Sequence, residues 1–94
     1  MRWSPEKNSK LKAERGISFE DVTVAVENER LLQIVRHPNT KKCPGQRIKI
    51  VEIAGYAYLI PYVEEEDHFF LKTIIPSRKA TRQFIMKGPT SVNP

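Results

Sequence analysis

Apolar residues are scarce over the first sixteen positions and then recur with a changing period, and that change divides the chain. Arg2-Trp3-Ser4 suits a short strand. Ser4 before Pro5 reads as a helix start, with serine as cap and proline at the first helical position. The segment to Arg15 sets Lys7, Lys10, Lys12 and Arg15 against Leu11 and Ala13, which predicts a largely exposed helix ended by Gly16. Ile17-Ser18-Phe19-Glu20-Asp21-Val22 reads as a second start. Ser18 caps, Asp21 stands where a capping box needs it, and Ile17 and Val22 hold the two positions of a hydrophobic staple. Val22 to Val26 also alternates as a strand would; the cap signals favour helix.

From residue 31 the period becomes two. Leu31-Leu32-Gln33-Ile34-Val35 predicts a strand ending at His37-Pro38-Asn39, followed by a long polar loop to Gln46. Arg47 to Ile53 and Tyr56 to Val63 predict a hairpin turning on Ala54-Gly55, with Pro61 marking an edge or bulge because it has no N–H for a ladder. Glu64 to Asp67 is an acidic turn, Phe69 to Ile75 a last strand closed by Pro76, and Ser77 to Met86 a short basic helix. The fold class is therefore α+β: two N-terminal helices, a four-stranded antiparallel meander sheet and a short C-terminal helix. One sheet face is expected to pack on helices and the other to be free for a ligand. Residues 1–87 form one domain, and 88–94, small and rich in Pro and Gly, a disordered tail.

Charge changes the picture more through its distribution than its total. Sixteen Lys and Arg against eleven Asp and Glu give +5. The stretch Arg36 to Lys49 is basic without an acid, and so is Lys72 to Lys87. Segregated cations favour a polyanion or an acidic protein as partner. No apolar run approaches the roughly 20 residues that cross a bilayer, and the N-terminus lacks the apolar stretch of a secretory signal. The expected location is the cytoplasm, with no membrane partner. Cys43 is the lone cysteine, which fits a reducing compartment; it reads as a loop thiol, with nearby lysines able to activate it.

No phosphate-binding loop, His-Glu-x-x-His or Cys-x-x-Cys is present. The two histidines, 31 residues apart, have no metal spacing, so neither metal nor cofactor is expected. RNA cleavage needs little equipment: the 2′-hydroxyl is already beside the phosphorus, and a protein must orient it, move protons and stabilise the phosphorane charge. Lysine and arginine suffice for the last task. Arg78, Lys79 and Arg82 cluster after the last strand, either as such a site or as the solvated face of a terminal helix. His37 is an acid–base candidate or a plain turn residue, and His68 a turn residue. Tyr56, Tyr58 and Tyr62 share a strand face, for base stacking or for cross-strand packing.

Two motifs carry a family resemblance. Trp3-Ser4-Pro5-Glu6-Lys7-Asn8 with Gly16-Ile17-Ser18-Phe19-Glu20-Asp21 resembles the opening of the BrnT family of toxins, Trp-Asp-x-x-Lys-x and then His-Gly-Val/Ile-Ser-Phe-Glu-Glu/Asp. Ile74-Ile75-Pro76-Ser77-Arg78-Lys79-Ala80-Thr81-Arg82 resembles its closing Ile-Ser-Ala-Arg-Lys-Ala-Thr-Arg. The resemblance spans residues 1 to about 86 and is specific at the two ends. It implies a RelE-like fold, metal-independent endoribonuclease activity that arrests translation, and a ribbon-helix-helix antitoxin partner, with DNA met only through the complex. On this reading Lys7, Arg78 and Lys79 are the catalytic candidates and Arg15, Arg47 and Arg82 the RNA-binding ones. Ser4 stands where the family has Asp, and Arg15 where it has His. The reading requires the cations of the two chain ends to meet around one phosphodiester. The alternatives are a non-catalytic nucleic-acid-binding module and a protein-interaction domain.

Overall fold

Residues 1–36 and 46–86 are described by a computed structural model; the readings placed on His37, Cys43 and the 88–94 tail lie outside them. β1 (Arg2–Trp3) leads directly into α1 (Pro5–Arg15). Ser4 Oγ accepts the Lys7 N–H at 3.3 Å, and Gly16, at φ 68°, ends the helix with its N–H on the Lys12 carbonyl. α2 (Phe19–Glu27) opens with both halves of the capping box, Ser18 Oγ to the Asp21 N–H and Asp21 Oδ2 to the Ser18 N–H. Cap geometry thus prevails over the alternation of Val22 to Val26. Asn8 joins the two helices: its Oδ1 accepts the Phe19 N–H at 2.7 Å and its Nδ2 donates to Glu20 at 2.8 Å. That bond contributes most to holding the Glu20 carboxyl below its ordinary pKa, helped by a hydrogen bond from its own backbone N–H.

The α+β class stands, but the sheet is larger and more mixed than a four-stranded meander. β2 (Leu31–Arg36), β3 (Gln46–Ile53), β4 (Tyr56–Glu65) and β5 (His68–Leu71) run antiparallel in sequence order. β1 adds to β5 in parallel, Trp3 opposite Leu71, and β6 (Ile75–Pro76) pairs with Tyr58 and Leu59 of β4. The predicted last strand, Phe69 to Ile75, is therefore two. Pro61 supplies the reason. Its carbonyl accepts the Lys72 N–H at 2.8 Å, so its nitrogen faces the same edge and has no hydrogen to give. Pairing stops at Tyr62–Leu71 and resumes at Leu59–Ile75. The β3–β4 turn is tight, with Ala54 at φ 55° and Gly55 at 80°, the doubly left-handed conformation that suits the twist of a two-residue hairpin.

Both sheet faces are covered, against the expectation of one free face. On the first, α1 and α2 bury Leu11, Phe19, Val22 and Ala25 against Val51, Ile60, Tyr62 and Leu71, and Trp3 stacks on Phe19 with centroids 5.5 Å apart. On the second, α3 (Arg78–Thr81) and the helical turn Arg82–Met86 bring Ala80, Phe84 and Ile85 onto Ile50, Ala57 and Leu59. Both backbone groups of Ala57 are taken by this segment: its carbonyl accepts the Ser77 N–H at 3.0 Å, and its N–H donates to Thr81 Oγ1 at 2.8 Å. Thr81 in turn donates to the Ser77 carbonyl at 2.8 Å. Replacing Thr81 by Val keeps the shape and leaves the buried Ala57 N–H without an acceptor. Thr81→Val is expected to cost about 1–3 kcal/mol, read as a lower urea midpoint at unchanged slope, and Thr81→Ser to cost less.

Candidate functional site

The expected site residues are divided by the sheet. Lys7 is half-buried on α1, the helix that packs on the first face through Leu11. Arg78, Lys79 and Arg82 are exposed on the segment that packs on the second face through Ala80. Lys7 and the Arg78, Lys79 and Arg82 group thus sit on elements packed against opposite faces of the sheet. Arg15 is engaged in the fold: its Nη1 donates to the Ile74 carbonyl at 3.0 Å, fixing the end of α1 to the chain ahead of β6. The start of α3 is no open anion site either, because Ser77 Oγ accepts the Ala80 N–H at 3.0 Å. Arg47 is exposed on β3 and belongs to the first face.

Arg47 leads to a residue that sequence reasoning passed over. Side chains alternate along a strand, so Arg47, Lys49 and Val51 share the first face. Lys49 is only 6% exposed. Its Nζ lies 4.6 Å from the centre of the Phe69 ring and 5.0 Å from that of Tyr62, with Met1 Sδ at 3.9 Å. Among the described residues it has no carboxylate partner. The two rings, packed edge to face at 5.4 Å, offer their π faces in place of a counter-ion. Burial pushes the Lys49 ammonium below the ordinary lysine pKa. Burial likewise raises the Tyr62 phenol, an effect that Arg47 opposes and Glu64 reinforces. Tyr62 is therefore a buried packing residue, unavailable for stacking on bases.

Two arginines stand beside Lys49. Arg36 of β2 is directly opposite Arg47 of β3, and Arg47 is opposite Tyr62 of β4. Both arginines are exposed, and neither has an acid partner among the described residues. Like charges directly opposite in a sheet repel. Arg36, Arg47 and Lys49 thus bring three basic side chains onto one face, the last of them buried, and burial favours its neutral amine. The signal in the sequence was a lysine at the phase of Val51 and Ile53, between Ile48 and Ile50, in a strand buried on both sides.

Other groupings have less to offer. His68 is held between Glu65 (2.8 Å) and Asp67 (2.9 Å) at the β4–β5 turn, and this contact holds the Asp67 carboxyl below its ordinary pKa. An open cleft of about 370 Å³ between α2 and the β3–β4 turn is lined by Asp21, Val24, Arg30, Glu52 and Ile53, with Arg30 and Glu52 paired at 3.5 Å. None of the expected site residues lines it. Among the described residues no helix is long and apolar enough to cross a membrane. No family model, curated protein or solved structure matches the chain significantly.

Lys49 makes the protein's stability depend on pH in a known direction. Its folded pKa lies below its unfolded value, so between the two the unfolded chain binds the extra proton, and stability rises with pH through that window. Lys49→Met is expected to be the more stable protein at neutral pH, by about 1 kcal/mol or more. The gap should narrow as pH rises toward about 10, the ordinary lysine value. Urea titrations of both proteins at several pH values check it; a constant gap contradicts it.

Proposed function

We propose that this protein is a metal-independent endoribonuclease toxin of a toxin–antitoxin pair, with its centre moved from the chain-end cations, which sit on opposite faces of the sheet, to the sheet face around Lys49, where an RNA phosphodiester is held. The observation that carries the reading is a buried lysine with aromatic neighbours and no acid partner among the described residues, beside two exposed arginines. Arg36 and Arg47 hold the phosphate oxygens by charge-assisted hydrogen bonds. Lys49 in its neutral form takes the 2′-hydroxyl proton; the 2′-oxygen attacks phosphorus, and the 5′-oxygen leaves with a proton from a second donor. The products are a 2′,3′-cyclic phosphate and a 5′-hydroxyl. Lys7, on α1, is a further RNA contact in this reading. Arg78, Lys79 and Arg82, proposed from sequence as part of the centre, become peripheral RNA contacts. The resemblance of both chain ends to the BrnT family supports the toxin context and the ribbon-helix-helix antitoxin.

A binding module without catalysis is the second reading, favoured by the exposure of Arg78, Lys79 and Arg82. Induction in a bacterial host separates the two. The nuclease reading expects growth arrest with RNA cleaved, and cleavage by purified protein that persists in chelator. Lys49→Met should remain folded, keep most RNA binding and lose about 100-fold or more in cleavage rate. Arg78→Ala with Lys79→Ala should lose less. The reverse ranking moves the centre to α3. Intact RNA at verified soluble expression, with binding that falls steeply as salt rises, leaves the binding module.

A further inference from the structure

We propose that the free edge of β2 takes up an extended, acid-bearing segment of a partner protein as an added strand, with its carboxylates over Arg36 and Arg47. β2 ends the sheet and is hydrogen-bonded to β3 alone among the described strands. Its sequence, Leu31 to Arg36, contains no proline and bears a single charge, at its end. Sheet edges in soluble proteins are commonly blunted by proline, inward charges or a covering element, because unpaired amides and carbonyls invite another strand. The one irregularity is a register shift between Leu31 and Gln33, which leaves Gln33 to Arg36 in regular pairing. These backbone groups match an extended polypeptide, which offers amides and carbonyls at the same spacing.

The side chains select what kind of strand. Ile34, 45% exposed, and Arg36 lie on the first face beside the edge, and Arg47 is the next residue inward from Arg36. An added strand lies about 4.8 Å from β2, so one of its alternating side chains meets Ile34 and the next meets Arg36. A glutamate there relieves the repulsion between Arg36 and Arg47 and reaches both. A second copy of this chain would instead bring a like-charged edge, from a protein of net charge +5. Nucleic acid has no amide row to pair. The docking does not depend on the reading of RNA cleavage; its consequence does, since the segment would cover the arginines proposed to hold phosphate and so exclude RNA.

The full chain and a blocked synthetic peptide of alternating Glu and Val test this, with amide exchange followed by NMR. Binding is expected to slow exchange of an alternating pair of amides within Gln33 to Arg36, and Arg36→Glu to weaken it roughly fivefold or more. One of two peptides N-methylated at alternate residues should lose binding and the other keep it. No binding, equal binding of a Lys–Val peptide, or binding that leaves the β2 amides unchanged overturns the proposal. Protection of those amides by rising protein concentration alone also overturns it, in favour of a second copy. A labelled RNA oligonucleotide displaced by the peptide links the two readings. If RNA does not bind while the strand does, the docking stands and the nuclease reading falls.

Discussion

The central strands are covered on both faces, and that burial decides where a charge is tolerated. β3 and β4 pair over eight residues, with α1 and α2 on one side and α3 on the other. A strand in such a place reads as nearly continuous apolar sequence. An ammonium placed there loses its water and must find something in return. Lys49 finds two π faces and a thioether, weaker partners than a carboxylate. The fold pays for this with stability that a methionine of similar length would restore.

Much of the fold was legible because its signals are local. Ser4-Pro5, Ser18 with Asp21, Ala54-Gly55 and Ser77 act within three or four residues, and each cap or turn formed where the pattern put it. The sheet order was less legible. The two-residue strands β1 and β6 exist through pairing with distant residues, Phe70 and Leu71 for one and Tyr58 and Leu59 for the other. Pro61 was read correctly as an interruption, but its effect falls on the neighbouring strand, which it splits. The covering of the second face escaped notice because Ala80 and Thr81 are small and carry no apolar stripe; a hydroxyl and a close backbone approach hold them.

The motifs that drew attention at the two chain ends turn out to be largely scaffolding. Trp3 stacks on Phe19, Asn8 bonds the Phe19 N–H, Gly16 ends α1, and Ser18 and Asp21 start α2. In Ser77-Arg78-Lys79-Ala80-Thr81, the serine and threonine clamp Ala57 and the alanine allows the approach. Residues of this kind are set by what the backbone needs, so they speak to the fold more than to chemistry. Lys49, the buried charge, sits in the middle of the chain, where no motif marked it.

The position of Lys49 also separates two ways a lysine can serve RNA. A surface lysine such as Lys79 keeps its water and contributes a screened, long-range attraction. Lys49 has given up its water, so a bound phosphate meets it in a medium where charge acts strongly, and the same desolvation raises the share of neutral amine. These effects pull in opposite directions: an arriving anion favours the ammonium, and burial the amine. In the proposed reaction such a group takes the 2′-hydroxyl proton as an amine and, once protonated, faces the negative charge building on phosphorus as an ammonium, while the second donor protonates the leaving 5′-oxygen. Arg36 and Arg47 stand beside Lys49 on the same face, and in the proposed site a phosphate held by them is the charge that returns the balance toward the ammonium.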